Sequence, residues 1–345
     1  MVRRVPLVLM LIGLAEVALL GFALVPAPWN LAFLFLNGLP LGMVWSLLFG
    51  VLEGRRVTEF LGLSMSVAVI FASGWVKGVG RWTMESWSVA EFWMPVVTGL
   101  LFVPLLLLSL GMLRHVPPPN ERDKLERTPR EPMKHAERRR FFRGHLPGVI
   151  LLVIGYLCLM TYRDLRDSFM DLILKELGHE VTSGTFAGIE SWVGVIVIAA
   201  LFVLGFFRNN RAAVWANAAL ITFGALVLGL ATLLLKQGVL SPVAFYVVNG
   251  VGLYIAFVPY QSIFMDRLLA SLGTVATASF LIAIADAYGY LSTVSLYLVR
   301  DIVAHFTGQE LPWVTLLMVA STVVLFAVPL SLIGAMIYFQ PKLKK

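Results

Sequence analysis

A single cysteine, Cys158, occurs in 345 residues. One thiol excludes a disulfide framework and a thiolate metal site, and its place inside an apolar run reads as a small buried hydrophobe. Charge is scarce as well, since Asp, Glu, Lys and Arg make up 14% of the chain. The five histidines (His115, His135, His145, His179 and His305) lie in loops or at the ends of apolar runs, without a partner at metal-ligand spacing. No metal or other cofactor is therefore expected. The nucleophile elbow G-x-S-x-G, the H-E-x-x-H helix, the P-loop and the Gly-rich dinucleotide turn are all missing. Intramembrane acyl transfer or proteolysis would need clustered histidine or paired carboxylates, and Asp286 has no acidic partner on a neighbouring turn of its run. These absences argue against an enzyme and against a pump that burns ATP.

What fills the chain is hydrocarbon. Hydrophobic residues account for 59% of it, and the mean hydropathy is +0.85. A soluble domain of this length could not bury that much apolar surface, so the solvent must be lipid. Ten runs are long enough to cross a bilayer: roughly 5–25, 29–51, 60–80, 92–114, 147–169, 185–207, 213–235, 242–264, 274–298 and 312–338. The expected fold class is an all-α polytopic membrane protein. The net charge of +7 lies mostly in the loops between these runs, which is membrane-orienting charge and not a nucleic-acid stripe. If alternate loops are assigned to one side, that side holds 20 of the 27 basic residues. The richer side is cytoplasmic by the positive-inside rule, which puts both termini inside.

The one long polar segment, 115–146, contains three consecutive prolines at 117–119 and three arginines at 138–140. It divides the chain into an N-terminal half (1–114, four spans), a charged cytoplasmic linker (115–146) and a C-terminal half (147–345, six spans). Its composition predicts a partly disordered tether. The halves share a repeat: AFLFLNGLPLG at 32–42 and AFYVVNGVGLY at 244–254 lie 212 residues apart, each within an apolar run that ends in a short basic turn.

Two helical halves, a charged cytoplasmic loop and both termini inside together resemble the major facilitator superfamily. Proteins of that type have six helices per half, related by a pseudo-two-fold axis along the membrane normal. The resemblance implies that the six later spans are helices seven to twelve and the first four are helices three to six, with the family's first two helices absent and the opening Met-Val-Arg-Arg similar to the end of the loop before helix three. The segments LEGRRVTEF at 52–60 and YRDLRDSF at 162–169 look more like a bacterial branch than like a sugar or drug exporter.

Ser279, Asp286, Tyr290, Thr293 and Tyr297 are spaced 7, 4, 3 and 4 residues apart, within roughly 40° of Asp286 at 100° per residue. A carboxylate near the bilayer centre costs several kcal/mol against lipid, so the stripe is expected to face a watery cavity or a packing partner. Ser66, Ser73 and Lys77 coincide with Ser279, Asp286 and Tyr290 after a shift of 213 residues, and the resemblance implies that both helices border the central cavity. It places Asn37 and Asn249 on cavity-lining helices too, although an Asn that satisfies neighbouring backbone beside Gly38 or Gly250 explains them equally well. Tyr254, Tyr260, Tyr288, Tyr290 and Trp45 suit stacking on a solute or ordinary helix packing. Arg163, Asp164, Asp167 and Asp171 share one helical arc, as an outer gate or as a structural ion-pair network. Glu190 is expected to pair with Arg163 or Arg166 or to carry a proton. Glu16 falls on a peripheral helix and reads as a packing residue or a contact for something outside this chain. Trp29, Trp75, Trp82, Trp87, Trp93 and Trp313 read as interfacial anchors.

The expected function is secondary transport of a small solute by alternating access across a bacterial inner membrane, with protons coupled through Asp286 or Glu190. The expected partners are the lipid bilayer, the unidentified solute and protons, and nucleic acid is not among them. The alternatives are a non-transporting receptor or scaffold that keeps the fold, and a shortened product of a twelve-helix transporter.

Overall fold

Lipid offers a backbone N–H or C=O no water, so an apolar run must close its own hydrogen bonds as a helix. The computed structural model of the protein describes residues 4–52, 58–115, 135–206, 209–272 and 278–343, and every regular element among them is helical. The first helices are α1 (Arg4–Leu24), α2 (Leu31–Leu52), α3 (Thr58–Trp87) and α4 (Met94–Arg114). Then come α5 (His135–Ser168), the short α6 (Met170–Glu176), α7 (Ser183–Phe202), α8 (Asn210–Lys236) and α9 (Pro242–Pro259). After α9 a π turn (Tyr260–Phe264) leads into α10 (Met265–Leu272), followed by α11 (Ala278–Thr307) and α12 (Trp313–Phe339). Among the described residues, eight helical segments are long and apolar enough to cross a membrane. The runs at 29–51 and 60–80 form α2, whose described apolar stretch is Leu31–Val44, and α3. The protein is an all-α polytopic membrane protein.

Local chemistry sets the helix ends. Asn209 caps α8 by accepting from the N–H groups of Arg211 and Ala212, and Ser241 caps α9 with Pro242 at its first turn. Gly238, at φ +71°, closes α8, with Gly238 N–H donating to Leu235 and Val239 N–H to Leu234. Pro259 has no N–H to give, and the helix loosens into the π turn directly after it. α5 starts at His135 and so takes up the last part of the segment 115–146. Residues 116–134 lie outside the described residues.

The chain falls into two compact units. The first comprises Met1–Gly62, Ala72–Thr128 and Thr182–Ala187. Here α1 packs against α2 and α4, Gly21 makes room for the ring of Phe33, and Gly99 makes room for the carboxylate of Glu16. The second comprises Leu63–Phe71, Pro129–Val181 and Gly188–Lys345. Its central post is α9, along which Leu253 to Pro259 are all buried. α8 lies so close to α9 that Gly224 and Gly252 bring backbone against backbone, the small-residue crossing that helices in lipid favour. α12 packs on α5 and α8, and α11 packs on α5.

Candidate functional site

The inner face of α5 in the second unit carries the chemistry. Leu159, Tyr162 and Arg166 point to its fully buried side, while Tyr156, Arg163 and Asp167 follow a neighbouring arc at 7 and 4 residues. Arg166 has no exposed surface. Its Nη1 donates to Asp167 Oδ1 at 2.9 Å and to Glu190 Oε1 at 2.8 Å, and its Nη2 donates to the Tyr246 carbonyl at 3.0 Å. The rings of Tyr246 and Tyr254 lie 5.1 and 5.9 Å from the guanidinium carbon. Gly250 makes this fit possible, because a Cβ there would sit 2.5 Å from Arg166 Nη2. Tyr254 donates to Asp167 Oδ2 at 2.7 Å. Charge-assisted bonds of this kind contribute roughly 1.5–3 kcal/mol each, which offsets part of the cost of taking Arg166 and Glu190 out of water.

A second cluster lies along the contact of α5 with α11. Arg163 donates to Asp164 Oδ1 through Nε at 3.2 Å and Nη2 at 2.7 Å, and its guanidinium lies 4.7 Å from the Phe257 ring centroid. Thr293 donates to Asp164 Oδ2 at 2.9 Å, and Thr161 donates to Ser292 at 2.8 Å. Asp286 is half-buried and accepts from the Tyr156 hydroxyl at 2.5 Å. The Tyr156 ring in turn packs against Phe257 and Tyr260 at 5.5 and 5.7 Å between centroids.

Each asparagine of the repeat clips the helix before it. Asn37 on α2 donates to the Ala15 carbonyl on α1 at 2.9 Å. Asn249 on α9 donates to the Leu228 carbonyl on α8 at 3.4 Å. The donors are 212 residues apart and the acceptors 213, so one interaction occurs once in each unit. The second copy carries more, because Asn249 also accepts from Tyr162 at 2.9 Å and its neighbour Gly250 houses Arg166, whereas Gly38 faces open space.

Residues 1–342 match one family along nearly the whole chain. The chain belongs to DUF5690, a family of unknown function. No curated protein and no solved structure matches it.

In this DUF5690 member the remaining candidates are dispersed. Of the α11 stripe, Asp286, Thr293 and Tyr297 meet α5 or the Phe169 ring beyond it, and Tyr290 is 57% exposed. The side chains of Ser279 and Trp45 lie outside the described residues. Ser66, Ser73 and Lys77 are half-buried on α3. Tyr260 is fully buried and donates to the Leu152 carbonyl at 2.8 Å. Asp171 pairs with Lys175 on α6 at 2.6 Å. Trp29, Trp75 and Trp87 are exposed, whereas Trp313 stacks on Phe169. Sequence reasoning missed Tyr156, Tyr162 and Tyr246 as members of the polar network. The signal available for Tyr156 was its 7-residue spacing from Arg163, which places both on one face of α5.

Proposed function

We propose that the protein is a secondary transporter of the major facilitator type, carrying a small solute by alternating access with protons coupled through Asp286. The reading rests chiefly on one observation: a half-buried carboxylate in a membrane-crossing helix whose only hydrogen-bond donor among the described residues is a tyrosine hydroxyl. A structural carboxylate in lipid would be expected to hold a cation, as Glu190 and Asp167 hold Arg166. Asp286 instead suits a group that gains and loses a proton. The repeated asparagine clip supports two units built to one plan, as rocking about a midplane site requires. The bias of basic residues supports an inner-membrane protein with both termini in the cytoplasm. The protein acts as a carrier and not as an enzyme.

The test uses purified protein in liposomes. Solutes that raise its thermal midpoint are screened first, and each hit is then offered to proteoliposomes under an imposed proton gradient. Asp286→Asn is expected to keep the wild-type unfolding midpoint and to lose gradient-driven accumulation completely. Normal accumulation by that variant would overturn the proton-coupling role. Solutes that bind the wild type and never cross would favour a receptor.

A further inference from the structure

We infer that the end of the second unit where α5 begins and α12 finishes binds an anionic phospholipid, with Arg139, Arg143 and Lys342 on its phosphate. Nothing in this depends on a carried solute. From 138 to 145 the chain reads RRRFFRGH, and from 340 to 345 it reads QPKLKK. These two segments hold seven arginines and lysines and no acid. The nearest acids along the chain are Glu137, Asp164 and Glu310.

Packing brings the two segments together. The Tyr338 hydroxyl donates to the Gly144 carbonyl at 3.0 Å, and a Cβ on Gly148 would run into the rings of Phe339 and Tyr338. His145 stacks on Phe141 and on Phe339, at 4.9 and 6.1 Å between centroids. Lys342 holds its ammonium nitrogen 3.6 Å from the centroid of the Tyr338 ring, the same residue that bonds Gly144 beside Arg143. α11 reaches this end through Phe280 against Phe142 and brings no charge before Asp286. Arg139, Arg143 and Lys342 are exposed, and none of them has a carboxylate at ion-pair distance among the described residues.

The position of these cations selects the ligand. The apolar segment of α5 starts at Phe141 and that of α12 runs to Lys342, so the three stand at the edge of the hydrocarbon. On α5, Arg139, Ile150 and Ile154 fall within roughly 40° of Arg143 at about 100° per residue, and the two isoleucines are 47% and 38% exposed. One helix face thus presents guanidinium groups first and hydrocarbon below, the order of phosphate and acyl chain in a phospholipid. Arginine grips phosphate oxygens through paired N–H donors, and the lysine adds a point charge. A soluble anion would meet three open, solvent-screened charges and gain little, whereas a lipid is already held at the membrane surface. A headgroup of net negative charge is favoured, because the choline of phosphatidylcholine brings a cation of its own.

The experiment titrates the purified, delipidated protein in detergent at low salt with fluorescent phosphatidylglycerol and with fluorescent phosphatidylcholine. One basic residue beside an anionic lipid is worth about fivefold in affinity. The wild type is therefore expected to prefer phosphatidylglycerol, and Arg143→Gln with Lys342→Gln to weaken that lipid roughly thirtyfold while leaving phosphatidylcholine unchanged. Both side chains are exposed, so the unfolding midpoint without lipid is expected to match that of the wild type. Arg139→Lys with Arg143→Lys keeps the charge and is expected to keep most of the preference. Arg114→Gln with Lys236→Gln, exposed at the ends of α4 and α8, removes two charges elsewhere and is expected to leave the preference intact. Equal affinity of the wild type for the two lipids overturns the inference. So does a loss in this control as large as in the first pair, which would make the effect one of net charge. Displacement of phosphatidylglycerol by an equal concentration of inorganic phosphate would assign the cations to a soluble anion and overturn the lipid.

Discussion

Arg166→Met is expected to cost about 3–5 kcal/mol, because it removes the guanidinium that buried carboxylates hold inside the helix bundle. Glu190 is 1% exposed and Arg166 fully buried. The arginine also donates to Asp167 and to the Tyr246 carbonyl, so one substitution removes three hydrogen bonds. Asp167 keeps the Tyr254 hydroxyl and is partly exposed, whereas Glu190 loses its guanidinium bond in a fully buried place. Total stabilities are commonly about 5–15 kcal/mol, so the variant should show a sharply lowered unfolding midpoint in detergent and a poor yield of monodisperse protein. Adding Glu190→Gln removes the buried negative charge and is expected to restore most of the loss. A single variant as stable as the wild type would mean that the pair is not buried as described. A double variant no better than the single would assign the cost to lost packing against Tyr246 and Tyr254 and not to charge.

The second large effect is expected at the crossing of α8 and α9. A Cβ on Gly252 would lie 2.5 Å from the Leu228 backbone nitrogen and 2.7 Å from the Gly224 carbonyl oxygen. A Cβ on Gly224 would meet the Gly252 carbonyl oxygen at 2.5 Å and the Ala256 nitrogen at 2.7 Å. Backbone cannot rotate away as a side-chain tip can, so the helices must separate. Gly252→Ala is expected to cost about 3 kcal/mol, the upper end of ordinary overpacking. Part of that loss comes from the Asn249 bond to Leu228, which spans the same crossing. Gly38→Ala is the matched control, since nothing lies within 4 Å of that position. The midpoint of Gly38→Ala should stay close to that of the wild type while that of Gly252→Ala falls. Equal midpoints for the two would contradict the close approach.

Much of this fold is written in short-range chemistry, and much of the polar network is not. Apolar runs marked the membrane-crossing helices because lipid forces a long apolar segment to be helical whatever its neighbours do. The asparagine repeat was visible as matched text, and the structure adds what each copy grips, Ala15 and Leu228. The buried network was harder to read. Tyr156 and Asp286 are 130 residues apart, and Tyr162 and Asn249 are 87 apart. A tyrosine inside an apolar run carries no local sign of the acid that it will meet. The YRDLRDSF segment at 162–169 offers two arginines at i and i+3, about 60° apart on a helix. That geometry does not say which one turns into the core. Helix packing decides, with Arg166 fitted into the space that Gly250 leaves and Arg163 kept partly open beside Phe257.

Alternating access itself is tested most directly by a distance measured in the membrane. With Cys158 replaced by alanine, the chain has no other cysteine to label. Spin labels at Glu91→Cys, between α3 and α4, and at Gln309→Cys, between α11 and α12, mark loops on the two units, and both native residues are exposed. The account predicts a distance distribution in liposomes that changes between mildly acidic and mildly alkaline pH, and it predicts that Asp286→Asn holds the acidic form at both. One distribution, unchanged by pH and identical in the variant, would contradict it.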